Sequence, residues 1–198
     1  MKKNSKIVWL IVVVVIALLC MGACNSYNGL VNKQETATTA LANVQATYQR
    51  RADLIPNLSK TVQAYAKHEE KTFEEVTKAR ATVGQIRLDA DNITPEKLQQ
   101  FQKAQGDLTQ ALGKLMVVAE RYPDLKASEN FKDLQIQLEG TENRINEARQ
   151  QYNEAVQDYN QSARRFPNVI FASMFGFDRM AKFEAAAGAE KAPEVNFD

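Results

Sequence analysis

His68-Glu69-Glu70 is the place where side-chain types come nearest to a hydrolytic centre. A helical zinc hydrolase needs two histidines four residues apart around a glutamate, so that both imidazoles reach one metal. Position 72 is Thr72 and the chain has a single histidine, so that chemistry is set aside and no metal or other cofactor is expected. His68 and Glu69 are read as a solvated pair at a bundle end, with a pH-sensitive contact as the sharper alternative. Arg50, Arg51 and Asp53 gather just before Pro56. Asp53 is expected to cap a helix starting there, with an arginine paired to a carboxylate at the turn; a recognition patch is the alternative. Tyr152-Asn153 and Tyr159-Asn160 stand seven residues apart, two helical turns, so both pairs share one face. Such tyrosines sit on a core seam with their hydroxyls on polar partners, and the asparagines are expected to bridge to a neighbouring helix. A ligand pocket beside Tyr152 and Tyr159 is the other reading. No catalytic residue is assigned, because no nucleophile–base pair, phosphate loop or metal-ligand set stands out.

The elements that must position these residues are helices. Apolar residues recur at spacings of three and four, as in Leu98, Phe101, Gln105, Leu108, Leu112, Leu115, Ala119 and Tyr122. Phe131, Leu134, Leu138, Thr141, Ile145, Ala148, Tyr152, Ala155 and Tyr159 form a second stripe. Leu30, Ala37, Leu41, Val44 and Tyr48 form another, as do Leu58, Val62, Tyr65, Phe73, Val76 and Val83. Each stripe is one seam that must be buried against neighbours. A turn is expected at Pro56, although the apolar phase runs on across it and a single kinked helix is the alternative. Further breaks are expected over Asp89–Glu96, where Thr94 caps and Pro95 opens the next helix, around Pro123, and at Phe166-Pro167. Short connections between long helices predict an all-α fold: an N-terminal transmembrane helix, an up-down antiparallel bundle of about four long helices, and a short aromatic C-terminal helix.

Charge and the first residues locate this bundle. The chain has 25 basic and 24 acidic residues; taking away Lys2, Lys3 and Lys6 leaves 22 basic against the same 24. No concentrated basic face appears, and no nucleic-acid partner is expected. Residues 1–6 are a positive stretch and Ile7–Cys24 is an uncharged run of 18 residues. At about 1.5 Å per residue that run rises about 27 Å, enough to cross the hydrocarbon core. Lysines before the run place the N-terminus in the cytoplasm and the remainder outside. A retained single-pass anchor is the favoured fate; lipidation of Cys24 after cleavage within Met21-Gly22-Ala23-Cys24, and secretion, are the alternatives. Domain boundaries follow: 1–6 cytoplasmic, 7–24 anchor or signal, 25–183 bundle, 184–198 flexible tail. Cys20 and Cys24 lie at the end of the apolar run, so the bundle itself holds neither disulfide nor thiolate metal site.

The stretch Phe166–Phe183 holds five of the nine phenylalanines, Phe166, Phe171, Phe175, Phe177 and Phe183. That is too apolar for a solvated tail. It is expected to close the end of the bundle or, because a fourth antiparallel helix returns to the membrane, to lie at the bilayer surface or against a partner.

Several of these segments together resemble the LemA family: Ser26–Val31, Tyr48–Leu58, Tyr65–Glu69, Tyr122–Phe131, Leu138–Asn160, Arg165–Asn168 and Phe175–Phe177. The likeness covers almost the whole chain in the family's order. Ser59, where the family usually has a branched aliphatic, and Ala42, where tryptophan is frequent, are departures that weaken packing inferences at those positions. The resemblance implies a bacterial membrane-anchored helical protein with an extracytoplasmic domain, and it implies no activity. The expected function is a non-enzymatic scaffold or adaptor for membrane or extracytoplasmic proteins, with a small-ligand or lipid-binding bundle as the alternative.

Overall fold

The computed structural model describes residues 2–88 and 93–184, with side chains from residue 6 onward. Six helices and no strand occur among them: α1 (Lys2–Tyr65), α2 (Glu70–Gln85), α3 (Pro95–Glu120), α4 (Pro123–Ala127), α5 (Glu129–Arg164) and α6 (Asn168–Phe175). The expected loop over 89–92 and the expected tail from 185 onward lie outside the described residues; Glu184 is described. The chain divides into two compact units, residues 1–40 with 154–180, and 41–153 with 181–198.

In the larger unit, residues 41–153 with 181–184, α1 to α5 form a helical bundle around the expected stripes. Leu58, Val62, Val76, Leu108, Leu112, Leu115, Val118, Phe131 and Leu138 share one core. Glu75 of α2 meets Lys114 of α3 at 2.7 Å, and Glu69, just before α2, meets Arg121, just after α3, at 2.9 Å. One partner's number rises as the other falls, so these two helices are antiparallel. At the start of α3, Thr94 caps as expected and accepts a hydrogen bond from the Lys97 amide at 3.2 Å, with Pro95 in the first turn.

The expected turn at Pro56 is absent. Pro56 lies inside α1, which runs on to Tyr65 before the chain reverses over residues 66–69. Proline in a helix interior withholds the amide that would bond the carbonyl four residues earlier, here that of Ala52. Arg80 of α2 supplies the missing donor: its Nε–H donates to the Ala52 carbonyl at 3.0 Å. The apolar phase across Pro56 keeps Ile55, Leu58 and Val62 buried, so the packing also favours continuity. Asp53 consequently caps nothing; it sits mid-helix and accepts from Gln49 at 2.8 Å. Tyr65, expected on the core seam, is exposed at the helix end, and Ala66 is buried in its place.

This repair makes a prediction. Replacing Arg80 by Met keeps the apolar stem and removes the donor, which should cost about 1–3 kcal/mol through an unpaired carbonyl. In a Pro56→Ala background the helix's own amide takes that carbonyl, and the same replacement should cost about 1 kcal/mol less. Denaturant unfolding of the four proteins in nanodiscs measures the coupling; a cycle that closes at zero removes the repair from the account.

The smaller unit, residues 1–40 with 154–180, pairs the first part of α1 with the end of α5 and with α6. Leu30 of α1, Ala163 of α5 and Ala172 of α6 make a small core, with Phe177 packed against it. Lys33 pairs with Asp158, and Ser26 donates to Asn168 at 2.8 Å. Residues Ile7–Ile16 are exposed throughout, and α1 is long and apolar enough there to cross a membrane. Gly176 ends α6 in the left-handed region at φ 76°, where a side chain would be strained. The Phe177 amide caps Ala172, and the chain then leaves as an extended segment.

Candidate functional site

The polar centre of the larger unit is Arg51, only 2% exposed. Its Nη1 donates to Glu142 at 2.6 Å and to the Thr109 hydroxyl at 3.2 Å, while Nη2 donates to the Gln105 side chain and, at 3.4 Å, to its carbonyl. The guanidinium lies 5.3 Å from the centre of the Tyr48 ring, and that ring meets Phe101 edge-on at 5.0 Å. The sequence stripe placed Gln105 among apolar positions; its partner explains why a polar residue stands there. Burial pushes the Tyr48 hydroxyl up from its ordinary value, and the nearby Arg149 and Arg51 oppose that shift. Arg50, beside Arg51 in sequence, points out and is exposed. One arginine is therefore structural and the other belongs to the surface.

Beside this centre is a cleft of about 480 Å³ lined by Tyr48, Arg80, Arg87, Phe101 and Gln105 among others. The Gln105 Nε2 and Arg51 Nε atoms are buried without a hydrogen-bond partner among the described residues. Burying such donors unpaired is costly, and each calls for an acceptor.

The side chains of the two Tyr-Asn pairs are engaged by backbone groups. In the larger unit the Tyr152 hydroxyl donates to the Ala181 carbonyl at 2.9 Å, and Asn153 makes two bonds with Phe183, giving to its carbonyl at 2.9 Å and accepting from its amide at 2.8 Å. Phe183 meets Tyr152 edge-on at 5.3 Å, under the Arg149 guanidinium at 5.1 Å. Gln102 and Arg149 both donate to the Glu184 carbonyl. The smaller unit repeats the device: Tyr159 donates to the Asp178 carbonyl at 2.8 Å, and Asn160 exchanges two bonds with Met180 at 2.9 and 3.0 Å. A primary amide carries donor and acceptor at the spacing of a peptide group, so each asparagine pairs with an extended backbone as a neighbouring strand would. The asparagines reach this extended segment and not an adjacent helix. Position 184, expected to begin the tail, is held by both donors.

Burial raises the Tyr152 hydroxyl from 10.0 to about 12, and raises that of Tyr159 in the same direction, with Asp178 adding to the shift. A hydroxyl that binds its proton more tightly when folded contributes stability that is whole below the unfolded value. That stability is lost as pH rises through the folded one. Unfolding midpoints should therefore fall between pH 10 and about 12, and Tyr152→Phe should flatten that fall while lowering the midpoint at neutral pH. Thermal melts followed by circular dichroism test both slopes.

His68 is exposed in the turn between α1 and α2. Glu69 precedes α2 and pairs with Arg121, so the two neighbours are not a unit. Cys20 and Cys24 are exposed free thiols on α1. Phe177 and Phe171 are half-buried, whereas Phe166 and Phe175 face outward. Among the described residues no three His, Cys, Asp or Glu side chains gather as a metal would require. Arg80, Glu142, Arg149 and the extended segment carry much of the polar structure and were not singled out from sequence. No spacing rule links a side chain to a carbonyl two helices away.

A profile of the LemA family matches residues 40–197. The chain is also similar to the magnetosome protein MamQ of Magnetospirillum gryphiswaldense, at 26% identity over 182 residues covering 82% of this chain and 66% of that protein. MamQ 1 and MamQ 2 of Paramagnetospirillum magneticum are each 29% identical over 192 residues, 87% of this chain and 68% of theirs. The chain thus spans about two thirds of the length of these relatives. With most of its residues under the family profile, including both Tyr-Asn pairs, the chain belongs to the LemA family.

Proposed function

We propose that this protein is a membrane-anchored, non-enzymatic scaffold or adaptor, with its N-terminus in the cytoplasm and its bundle outside. What carries the reading is that one helix is both membrane span and core element. α1 leaves the apolar stretch at Cys24 without a break and buries Leu30 and Ala37 within the smaller unit. A folded unit fused to its span holds whatever it binds at a fixed level above the bilayer. The order of lysines and apolar run supports the orientation. A polar groove in the larger unit, lined by Asn57, Lys60, Asn130, Asp133 and Gln137, suits a hydrated protein contact. A photo-cross-linker placed at Lys60 or Asp133 of the full-length protein in cells tests the reading. One reproducible protein adduct, absent when the probe is at Glu147, supports it; no adduct from either position counts against it.

A second reading, binding of a small ligand, is favoured by the cleft beside Tyr48 and the Gln105 Nε2, buried without a partner among the described residues. The chemistry suits a molecule with an aromatic or aliphatic body and a carbonyl or carboxylate acceptor. Native mass spectrometry of the protein released from membranes should then show a bound mass that Gln105→Leu loses.

A further inference from the structure

We infer that α6 is an interfacial foot, a helix seated on the outer surface of the bilayer through Ile170, Met174 and Phe175, with Phe166 in the turn just before it. The inference rests on the reading of residues 7–24 as a membrane span. Within the smaller unit, α6 is tied to α1 just past that span. Ser26 bonds Asn168, and Tyr27 meets Phe175 and Phe177 edge-on at 5.2 and 5.5 Å. Ser26 and Tyr27 follow Cys24 by two and three residues, so at about 1.5 Å per residue these contacts lie within about 5 Å of the end of the apolar run. A helix held at that height meets the boundary between hydrocarbon and headgroups.

Its outward chemistry matches the position. Ile170 is 55% exposed and Met174 63%, and their spacing of four puts them on one side of α6, opposite Ala172; Phe166, 82% exposed, stands in the turn just before the helix. Val169 and Phe175 widen the patch, while Ala172 faces the core. In water this would be an exposed apolar surface needing a cover. At the interface it is what amphipathic and aromatic segments use to bind. Exposed Arg164, Arg165 and Arg179 flank the patch and suit anionic headgroups. A second copy or another protein could cover the same side chains, but the tie to Ser26 and Tyr27 sets the patch at lipid level whatever else is present.

The test uses full-length protein in nanodiscs of phosphatidylcholine with a minority of phosphatidylglycerol, in a Cys20→Ser/Cys24→Ser background. Spin labels go on Leu18→Cys, Ile170→Cys, Met174→Cys and Lys60→Cys, one at a time, and collisions with oxygen and with a water-soluble nickel complex are compared. Labels at 170 and 174 should favour oxygen several-fold, as the label at 18 does, while the label at 60 favours nickel. If 18 is lipid-exposed and 170 and 174 are as nickel-accessible as 60, the foot is overturned and the span stands. If 170 and 174 are shielded from both and their spectra broaden by spin–spin contact, a second copy covers the patch and the proposal falls. If 18 itself is water-accessible, the span reading fails and takes the foot with it.

Discussion

Glu142→Leu should destabilise the protein by about 3–5 kcal/mol, the effect of leaving a buried cation without its counter-charge. Arg51 is 2% exposed, whereas the Glu142 side chain is 38% exposed. The two partners are thus unequal. Removing Glu142 strands a guanidinium that cannot reach water, and Gln105 and Thr109 offer dipoles but no charge. Removing Arg51 frees a carboxylate that water can solvate. The double variant Arg51→Met/Glu142→Leu fills the same space with apolar groups and should recover most of the loss. Denaturant midpoints of the single and double variants decide it. If the double variant is no better than Glu142→Leu alone, the loss comes from packing or from the Gln105 Oε1 left without its Arg51 donor, and the charge account is wrong.

Phe183→Ala should cost about 3–5 kcal/mol, as expected for a buried aromatic removed to alanine. The side chain is enclosed by Tyr152 and Arg149, and its backbone is held by Asn153. A sharper version changes only the amide. Asn153→Asp keeps an acceptor for the Phe183 amide but turns a carboxylate oxygen towards the Phe183 carbonyl, so a bond becomes a repulsion. It should be worse than Asn153→Ala, which costs about 1–3 kcal/mol per group left unpaired. Equal midpoints for Asp and Ala would show that the donor half of the amide is idle. A chain ended after Arg165 loses α6, the extended segment and both clamps together, so its failure to bind a partner would report unfolding.

The helices were legible because burial imposes a period. Leu108, Leu112 and Leu115 on one stripe and Ile145 and Tyr152 on another are buried as their spacing demands. The break after α1 was misplaced because proline is a local signal, whereas its repair by Arg80 is a tertiary one. The actual reversal over Ala66–Glu69 has neither Gly nor Pro to announce it. Arg51 was noticed for its neighbours in sequence, but its burial depends on Gln105, Thr109 and Glu142, which lie more than fifty residues away. The Tyr-Asn pairs were conspicuous for their repeat. Their partners were hidden because they are backbone groups, and a backbone carbonyl has no letter in a sequence.

The clamp has a consequence for biogenesis. Tyr152 and Asn153 leave the ribosome 29 and 30 residues ahead of Ala181 and Phe183, their partners. During synthesis the Tyr152 ring and the Asn153 amide therefore wait in solvent, and the core they close stays open to it. The larger unit can reach its final packing only after residues 181–183 have been made. A nascent chain stalled before that point keeps apolar surface around Tyr152 unclosed, and such surface is prone to aggregation and proteolysis. Arrival of Ala181 and Phe183 thereby acts as the step that closes the unit.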